Sequence, residues 1–373
     1  MPTLPLSVGN FSGPRETVRK LIAASREGTL DYRHRDPSKT DWGAYDQAQI
    51  HEMADTLHLI RILVDEAARQ VQARTPKRKG RRGPSPTSAA DVAKVLLAQE
   101  YFRVPNRVAE GLLEIFGEKL GLSEGFGYKT IERGYGRKAV REILDEVFEL
   151  TNGPVQGLER IFSVDGSGAS TTVGHHYASS RAKQKEAEKQ KGAWVEGSTT
   201  VRAPYVYTVS VVGVHYKLLS SHWVNCDRHV GELAAFPTVM RETKTLHPQI
   251  AMVLGDGLYA GRPMVRLVGE LGAVPRFLPR RNVTMKREGV KAWGEMLLDM
   301  ARDPPKWFAE YHLRSISEAT NFVRKNRHGK LRKRLEGRKV TEEFLRGVGY
   351  NIRRLGQLRY LEGIQPLREN CAS

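Results

Sequence analysis

Two aspartates in the second half of the chain have surroundings that suit the binding of a ligand or a metal ion. Asp165 and Asp256 each follow an apolar run and are flanked by small residues, in Asp165-Gly-Ser-Gly and in Gly255-Asp-Gly-Leu-Tyr-Ala-Gly. Ligands bind at strand ends in α/β sheets, and small neighbours let a bulky ligand or a hydrated metal approach. Taken alone, either aspartate is more typical of a cap or a turn.

A third acid, Glu318, lies in a segment with helical spacing. On one helix that advances about 100° per residue, an arc of about 60° holds Tyr311, Arg314, Glu318 and Lys325. The neighbouring arc holds Phe308, Ile316, Ala319 and Val323, and we expect it to pack on a sheet. The helix is thus predicted to present one carboxylate within a stripe of cations and a phenol. Such a stripe is also typical of a solvated face with ion pairs.

The elements that must position these residues follow a mixed α/β pattern. The segment 161–165 is predicted to be a short buried strand that ends on Asp165, and 205–212 with 216–224 a hairpin. A helix over 230–242, a strand over 250–255 that ends before Asp256, a helix over 262–270 and a strand over 274–278 follow. Three strands and then alternating helices and strands indicate a mixed sheet.

The chain before the sheet is predicted to be helical. Residues 1–43 suggest a loose arm, and residues 44–155 suggest a helical region. This region contains a basic linker at 74–88, which is either a tether along the phosphates of DNA or a solvated hinge. Short helices between Gly turns are typical of a helix-turn-helix DNA reader, and equally of an ordinary bundle. Lys129 and Arg133 would supply phosphate contacts. The polar insertion at 171–200 is more typical of a solvated loop than of a DNA clamp.

The charge balance favours a polyanion as partner. The chain has 373 residues with 60 Lys and Arg against 42 Asp and Glu, a net charge of +18. Nucleic acid is the usual partner of such an excess, and a basic protein with no nucleic-acid role is the alternative. Its two cysteines, Cys226 and Cys371, exclude a disulfide framework and a Cys-rich zinc module. There is no apolar run of about 18 residues and no signal-peptide pattern at the start, so we expect a cytoplasmic protein without a membrane span.

The spacing around Glu318 resembles a known signature. Tyr-x2-Arg-x3-Glu-x6-Lys is typical of the IS4-type DDE transposases, and Tyr311, Arg314, Glu318 and Lys325 match its four positions. Asp165 and Asp256 precede it in that family's order. The resemblance covers roughly 160 to 360, with a downstream Tyr350-Asn-Ile-Arg-Arg-Leu segment, and covers the earlier helical region more loosely.

This resemblance implies a ribonuclease-H-like catalytic domain over 156–330, an all-α DNA-binding region before it and a basic, helical tail over 331–373. Asp165, Asp256 and Glu318 would hold two Mg²⁺ or Mn²⁺ ions, with Asp165 bridging both, for in-line displacement at phosphorus. Lys325 and Arg314 would each hold a phosphate, and Tyr311 would hydrogen-bond a phosphate oxygen. The expected partner is double-stranded DNA, both terminal inverted repeats and target, bound by a homodimer at the prokaryotic nucleoid.

A basic run follows the predicted catalytic helix. Nine Lys and Arg residues lie between Arg324 and Lys339, among them Arg327. We favour DNA backbone binding by this run over a solvated face. Arg276, Arg280 and Arg281 are expected to extend the same surface.

Several alternatives stay open at this level. The chain is an active transposase, a domesticated DNA-binding protein with a dead nuclease fold, or a nuclease without strand transfer.

Trp293 and Trp307 are more typical of core residues than of platforms that stack a flipped base. The interval between Asp256 and Glu318 is too short for the long β-rich insertion of some relatives, so a DNA hairpin intermediate is in doubt. The histidines at 175, 176 and 222 lack the spacing of a zinc site, and an aspartate inside Gly255-Asp-Gly-Leu-Tyr-Ala-Gly disfavours a dinucleotide loop.

Overall fold

The computed structural model describes residues 13–30, 40–74, 86–171, 205–227 and 230–366. The cations at 77–82, nearly all of the insertion at 171–200 and the histidines at 175 and 176 lie outside these ranges. The interpretations made for them therefore stay predictions.

Before the sheet, the described ranges contain six helices. They are α1 (Pro14–Glu27), α2 (Trp42–Arg74), α3 (Ala89–Phe102), α4 (Asn106–Phe116), α5 (Tyr128–Gly134) and α6 (Lys138–Asn152), followed by a 3-10 turn at Gly153–Val155. The prediction of a loose arm over 1–43 is wrong for α1. Val18, Leu21 and Ile22 recur at three- and four-residue steps and are buried, so this short helix is stabilised by the apolar face that it packs inward.

Five strands form one mixed sheet, as predicted. They are β1 (Ile161–Ser170), β2 (Tyr205–Gly213), β3 (Leu219–Asn225), β4 (Met252–Gly255) and β5 (Val274–Phe277). Their order across the sheet is β3-β2-β1-β4-β5. The pairs β1–β2 and β2–β3 are antiparallel, whereas β4 runs parallel to both β1 and β5.

Six further helices lie in the described ranges after β3. They are α7 (Glu232–Leu246), α8 (Arg262–Glu270), α9 (Lys291–Arg302), α10 (Pro304–His312), α11 (Ser315–His328) and α12 (Glu336–Leu361). One core joins the sheet to α1 and α7 to α10, with Phe162, Phe236 and Phe277 fully buried. Trp293 and Trp307 are 5% and 1% exposed within this core, which supports their interpretation as packing residues.

A second core joins the helical region to the end of the chain. The helix α12 packs against α2, α3 and α6, and the core contains Leu63 of α2, Leu96 of α3, Val147 of α6 and Ile352 of α12. The same core includes Val212 and Leu219 at the sheet edge. The helical region therefore rests on the sheet through the C-terminal helix, and movement of one is constrained by the other.

None of the helices in the described ranges has both the length and the apolar composition that a membrane span requires.

Candidate active site

The register of the central strands brings the two aspartates together. Asp165 lies inside β1 instead of ending it, because β1 stays paired with β2 as far as Ser170. The parallel pair β1–β4 aligns Ile161 with Met252. The same offset, continued two residues past the last paired position, aligns Asp165 with Asp256. Neighbouring strands lie about 4.8 Å apart, so the two carboxylates start from adjacent positions.

The helix that carries Glu318 is fastened over this point of the sheet. The prediction of one continuous helix over 311–325 is wrong, since α10 ends at His312 and α11 begins at Ser315. The hydroxyl of Ser163 on β1 donates to the carbonyl of Arg314 (3.1 Å) and lies 3.0 Å from the hydroxyl of Ser317. These contacts place the first turn of α11 beside the strand position two residues before Asp165.

The face that α11 turns to the sheet is polar, contrary to the prediction. Its buried residues are Ser317, Thr320, Asn321 and Arg324. The expected packing residues Ala319 and Val323 are exposed, and so is Phe322. The strand positions beneath the helix are themselves polar, namely Ser163, Asp165 and Ser210. Buried polar groups require hydrogen-bond partners, so polar side chains of the helix face them instead of apolar ones.

Asn321 connects Asp165 to a buried ion pair. Its amide nitrogen donates to Asp165 Oδ2 at 2.9 Å, and its carbonyl oxygen accepts from Arg324 Nη1 at 3.3 Å. Because a guanidinium only donates, the oxygen of Asn321 must face Arg324 and its NH₂ must face Asp165. Arg324 in turn donates to Glu343 Oε1 at 2.7 Å, with both side chains less than a tenth exposed.

Glu318 lies one residue beyond this anchored face and reaches solvent. Its carboxylate is 56% exposed and forms an ion pair with Arg314, one turn earlier. Tyr311 is buried and stacks on Trp307, with ring centroids 5.4 Å apart. The predicted stripe is therefore split, because Tyr311 belongs to the core while Glu318 and Lys325 remain on the surface.

A fourth carboxylate, Glu232, was missed from the sequence. It is the first residue of α7 and accepts a hydrogen bond from the hydroxyl of Tyr259 at 3.2 Å. A Cβ built on Gly166, the residue after Asp165, would lie 1.8 Å from Glu232 Oε1. A side chain at that position would therefore require the carboxylate of Glu232 to move. No motif or spacing marks Glu232, since a single acid in the first turn of a helix is common.

Burial and mutual repulsion change the pKa values of two of these acids. Burial raises the pKa of Asp165 above its ordinary value, and Glu318 and Asp256 raise it further against the opposing donation by Asn321. Burial also raises the pKa of Glu232, to which Asp165 and Asp256 contribute. The acids thus form one electrostatically coupled group.

Each acid of the group is engaged by a neighbour. Asp165 accepts from Asn321, Glu318 is paired with Arg314, and Asp256 Oδ1 accepts from the backbone N–H of Leu258 at 2.8 Å. In this arrangement no set of three or more His, Cys, Asp or Glu side chains in the described ranges is gathered to hold a metal ion.

The residues predicted to bind DNA separate into two sets. Lys129, Arg133, Arg280, Arg281 and Lys325 are exposed, and Arg281 lies 3.9 Å from Glu27.

The residues of the other set are buried or are bonded to other groups of the protein. Arg324 is 5% exposed and Arg276 is 7% exposed, the latter bonded to Glu310 at 2.7 Å. Arg327 packs over the ring of Tyr101 and donates to that residue's carbonyl. The prediction of a phosphate-binding surface is wrong for Arg324 and Arg276, because each neutralises an internal carboxylate.

His222 is part of the packing around Arg324. Its ring lies 2.9 Å from the hydroxyl of Ser210 and 3.1 Å from Arg324 Nη2. Burial and the neighbouring guanidinium hold the pKa of His222 well below its ordinary value. A neutral, hydrogen-bonded histidine agrees with the interpretation that disfavoured a zinc site.

Comparison with curated proteins places the chain in a family. It is 30% identical over 248 residues to a probable transposase for insertion sequence element ISA1214 from Archaeoglobus fulgidus, over 66% of this chain and 69% of that protein. The chain belongs to the insertion-sequence transposases. No family model matches the transposase. Among solved structures it is similar to a chain of a pre-cleavage Mos1 transpososome, with 10% identity, 68% and 84% of the two chains covered and a TM-score of 0.19. A TM-score this low carries no argument about the site.

Proposed function

We propose that this transposase cleaves DNA at the ends of its element and joins them to target DNA by cut-and-paste transposition, at a DDE centre formed by Asp165, Asp256 and Glu318. The main support is the contact of Asn321 with Asp165 together with the β1–β4 register. These two features support a centre that takes Asp165 from β1, Asp256 from the end of β4 and Glu318 from the helix that carries Asn321, once Glu318 turns away from Arg314.

The strand order and the residues of α10 and α11 support a finer assignment. Three antiparallel strands followed by two parallel ones, in the order β3-β2-β1-β4-β5, are compatible with a ribonuclease-H-like domain. The spacing of Tyr311, Arg314, Glu318 and Lys325 supports the IS4-type group. Tyr311 is buried, so in this proposal it supports Arg314 by packing and does not contact a phosphate.

The donor set fits hard divalent cations. Asp165, Asp256 and Glu318 offer only carboxylate oxygens, which Mg²⁺ and Mn²⁺ prefer. Their coupling also favours a cation, because the like charges that raise the pKa of Asp165 would be neutralised. These three residues, with Glu232 nearby, would hold the proposed two ions. Bound divalent cations supply charge neutralisation at the attacking and leaving oxygens of a phosphodiester.

The surrounding side chains bind and orient the DNA. Lys325 is exposed two turns along α11 from Glu318, where it holds a phosphate as a point charge. Arg314 neutralises Glu318 in the unbound protein. Release of this exposed pair costs little, so we expect Arg314 to transfer to a phosphate when Glu318 turns towards Asp165 and Asp256.

The partners follow from the reaction. Terminal inverted repeats and target DNA are the proposed substrates, the protein acts as a homodimer that pairs two ends, and it works at the nucleoid. Lys129 and Arg133 on α5 are exposed and are proposed to contact the DNA backbone outside the centre.

A cleavage and joining assay tests the proposal. Purified full-length protein is incubated with Mg²⁺, a target plasmid and a DNA fragment that carries the sequences flanking its gene. We expect nicks at the element boundaries and covalent joining of the released 3′ ends to the plasmid, both lost in EDTA. Binding without nicking would contradict the enzymatic proposal and favour a DNA-binding protein. Nicking without joining would favour a nuclease.

Replacement of Asn321 by leucine is expected to slow single-turnover cleavage about 10- to 100-fold, the usual cost of losing a partner that orients a metal ligand. The side chain keeps its volume but no longer donates to Asp165. DNA affinity is expected to stay within twofold, and Asn321→His, which keeps a donor, to recover part of the rate. Asn326→Leu, an exposed amide on the same helix, serves as the control. Equal rates for the Asn321 and Asn326 variants would show that Asn321 does not orient Asp165.

A further inference from the structure

The segment that joins α11 to α12 exposes alternate cations. We call residues 330–334, Lys-Leu-Arg-Lys-Arg, the basic strap. Leu331 and Lys333 are 0% and 7% exposed, whereas Lys330, Arg332 and Arg334 are exposed. Alternation with a period of two is the pattern of an extended chain. The strap thus turns one apolar and one cationic side chain inward and three cations outward.

Backbone hydrogen bonds fix the strap at several points. The N–H of Leu331 donates to the carbonyl of Ser170 at the end of β1, at 2.9 Å. Both carboxylate oxygens of Glu342 accept from the N–H of Arg332, and Oε2 also accepts from the N–H of Lys333, each at 2.9 Å. Arg346 donates to the carbonyl of Lys330 at 3.3 Å. The backbone is therefore held by β1 on one side and by α12 on the other.

The inward lysine ties the strap to the helical region. Lys333 Nζ donates to Glu132 at 2.7 Å and to Asn106 at 3.0 Å, and it lies 3.8 Å from the centre of the Tyr135 ring. Arg338 donates to the second oxygen of Glu132 at 2.7 Å. Lys333 and Arg338 are therefore compensated internally, and neither is free to bind a polyanion.

The three cations that point outward are free to bind a polyanion. In the described part of the chain, no ion pair or hydrogen bond is formed by the side chains of Lys330, Arg332 and Arg334. Two residues of extended chain span about 6.6 Å, a spacing of the same order as that between successive phosphates of one nucleic-acid strand. A cavity of about 210 Å³ beside Lys325 and Lys330 and another of about 460 Å³ beside Arg332 and Arg334 flank the strap.

We propose that the basic strap binds three successive phosphates of one DNA strand and guides that strand from the Glu318 centre towards the helical region. The contacts are made by Lys330, Arg332 and Arg334, and Lys325 lines the same cavity as Lys330. Lys333 holds the strap in place and touches no DNA. This inference rests on the proposed function, since it assigns a path to the DNA that the active site would cleave.

Nucleic acid fits this surface better than an acidic protein does. Between 330 and 334 every exposed side chain is cationic and the apolar one is buried, whereas protein interfaces have an apolar centre. Cations on a fixed backbone at regular spacing suit a regular polyanion, because the ordering cost is already met in the free protein.

The test compares two triple variants in the full-length protein. In the strap variant, glutamine replaces Lys330, Arg332 and Arg334 together. In the α1 variant, glutamine replaces three exposed arginines of α1 together, namely Arg15, Arg19 and Arg26. Both variants lose the same amount of charge. The dissociation constant for a fluorescein-labelled 40-base-pair duplex of arbitrary sequence is measured by anisotropy between about 50 and 300 mM KCl.

For the strap variant we expect the slope of log K against log salt to fall by about 2 to 3, because each lost phosphate contact removes about 0.9. Affinity at 0.1 M salt is expected to fall about 10- to 100-fold, with an unchanged thermal unfolding midpoint. The α1 variant should change the slope by less than one. Equal slopes in the two variants, or an unchanged slope in the strap variant, would overturn the strap assignment while leaving the proposed function intact. No binding by the unmodified protein at low salt would contradict the proposed function itself.

Discussion

Replacing Asp165, Asp256 or Glu318 by alanine is expected to reduce strand cleavage by at least about a thousandfold and to leave DNA affinity within about twofold. Each acid would hold a divalent cation whose charge stabilisation contributes several kcal/mol, and each 1.4 kcal/mol corresponds to about tenfold in rate. The three acids do not hold the fold together, since Glu318 is more than half exposed and Asp165 is bonded to one amide. Single-turnover nicking of end-containing DNA in Mg²⁺ measures the rate, and anisotropy measures the affinity.

A control variant at an acid outside the proposed centre shows whether the loss of cleavage comes from the centre itself or only from the loss of a negative charge. Glu270 is exposed at the end of α8, and Glu270→Ala is expected to cleave at the unmodified rate. If one of the three variants kept near-normal cleavage, that residue would not belong to the centre. Cleavage by Glu318→Ala alone, with Glu232→Ala inactive, would instead indicate that α7 and not α11 supplies the third acid.

The second large effect is on stability. Changing Arg324 to methionine is expected to lower the free energy of unfolding by about 3 kcal/mol, the lower end of the usual cost of removing one partner from a buried ion pair. Arg324 and Glu343 are 5% and 8% exposed and 2.7 Å apart, so Glu343 would lose the closer of its two buried cations and keep only Arg346, at 3.4 Å. Urea unfolding followed by far-UV circular dichroism measures the change.

A double variant tests whether the pair is the cause. Arg324→Met combined with Glu343→Leu removes both charges and is expected to be more stable than Arg324→Met alone, because apolar replacement of a whole buried pair is well tolerated. Arg69→Met, which breaks an exposed pair with Glu66 on α2, is expected to have no measurable effect. A double variant no more stable than the single one would contradict the pairing argument.

The sequence predicted the five strands of the sheet well, although β1 continues past Asp165 instead of ending there. Apolar runs of four to six residues ending in small residues mark β1 and β4, and burial on both faces makes such strands easy to recognise. The register that aligns Asp165 with Asp256 could not be read from the sequence, since it is set by the pairing of β1 with β4. Nor could the sequence show that β1 extends beyond Asp165. That extension is stabilised by pairing with β2 up to Tyr205, a contact between distant parts of the chain.

The helix of Glu318 shows where periodicity fails. Hydrophobic spacing predicted that Val323 and Ala319 face the sheet, but the sheet beneath α11 is polar and selects Ser317, Asn321 and Arg324 instead. The basic run at 324–339 shows a similar limit. Composition gives its charge but not which cations are neutralised inside, and Arg324, Lys333 and Arg338 each proved to be bonded to a carboxylate.

Crystals of the transposase with end-containing DNA and Mn²⁺ would test the central claim most directly. Anomalous scattering locates Mn²⁺ without ambiguity. We expect anomalous peaks between Asp165, Asp256 and Glu318, with carboxylate oxygens about 2.1 Å from the ion, and with Glu318 turned away from Arg314. Mn²⁺ bound elsewhere, or Glu318 still paired with Arg314 in a complex competent for cleavage, would contradict a DDE centre in this protein.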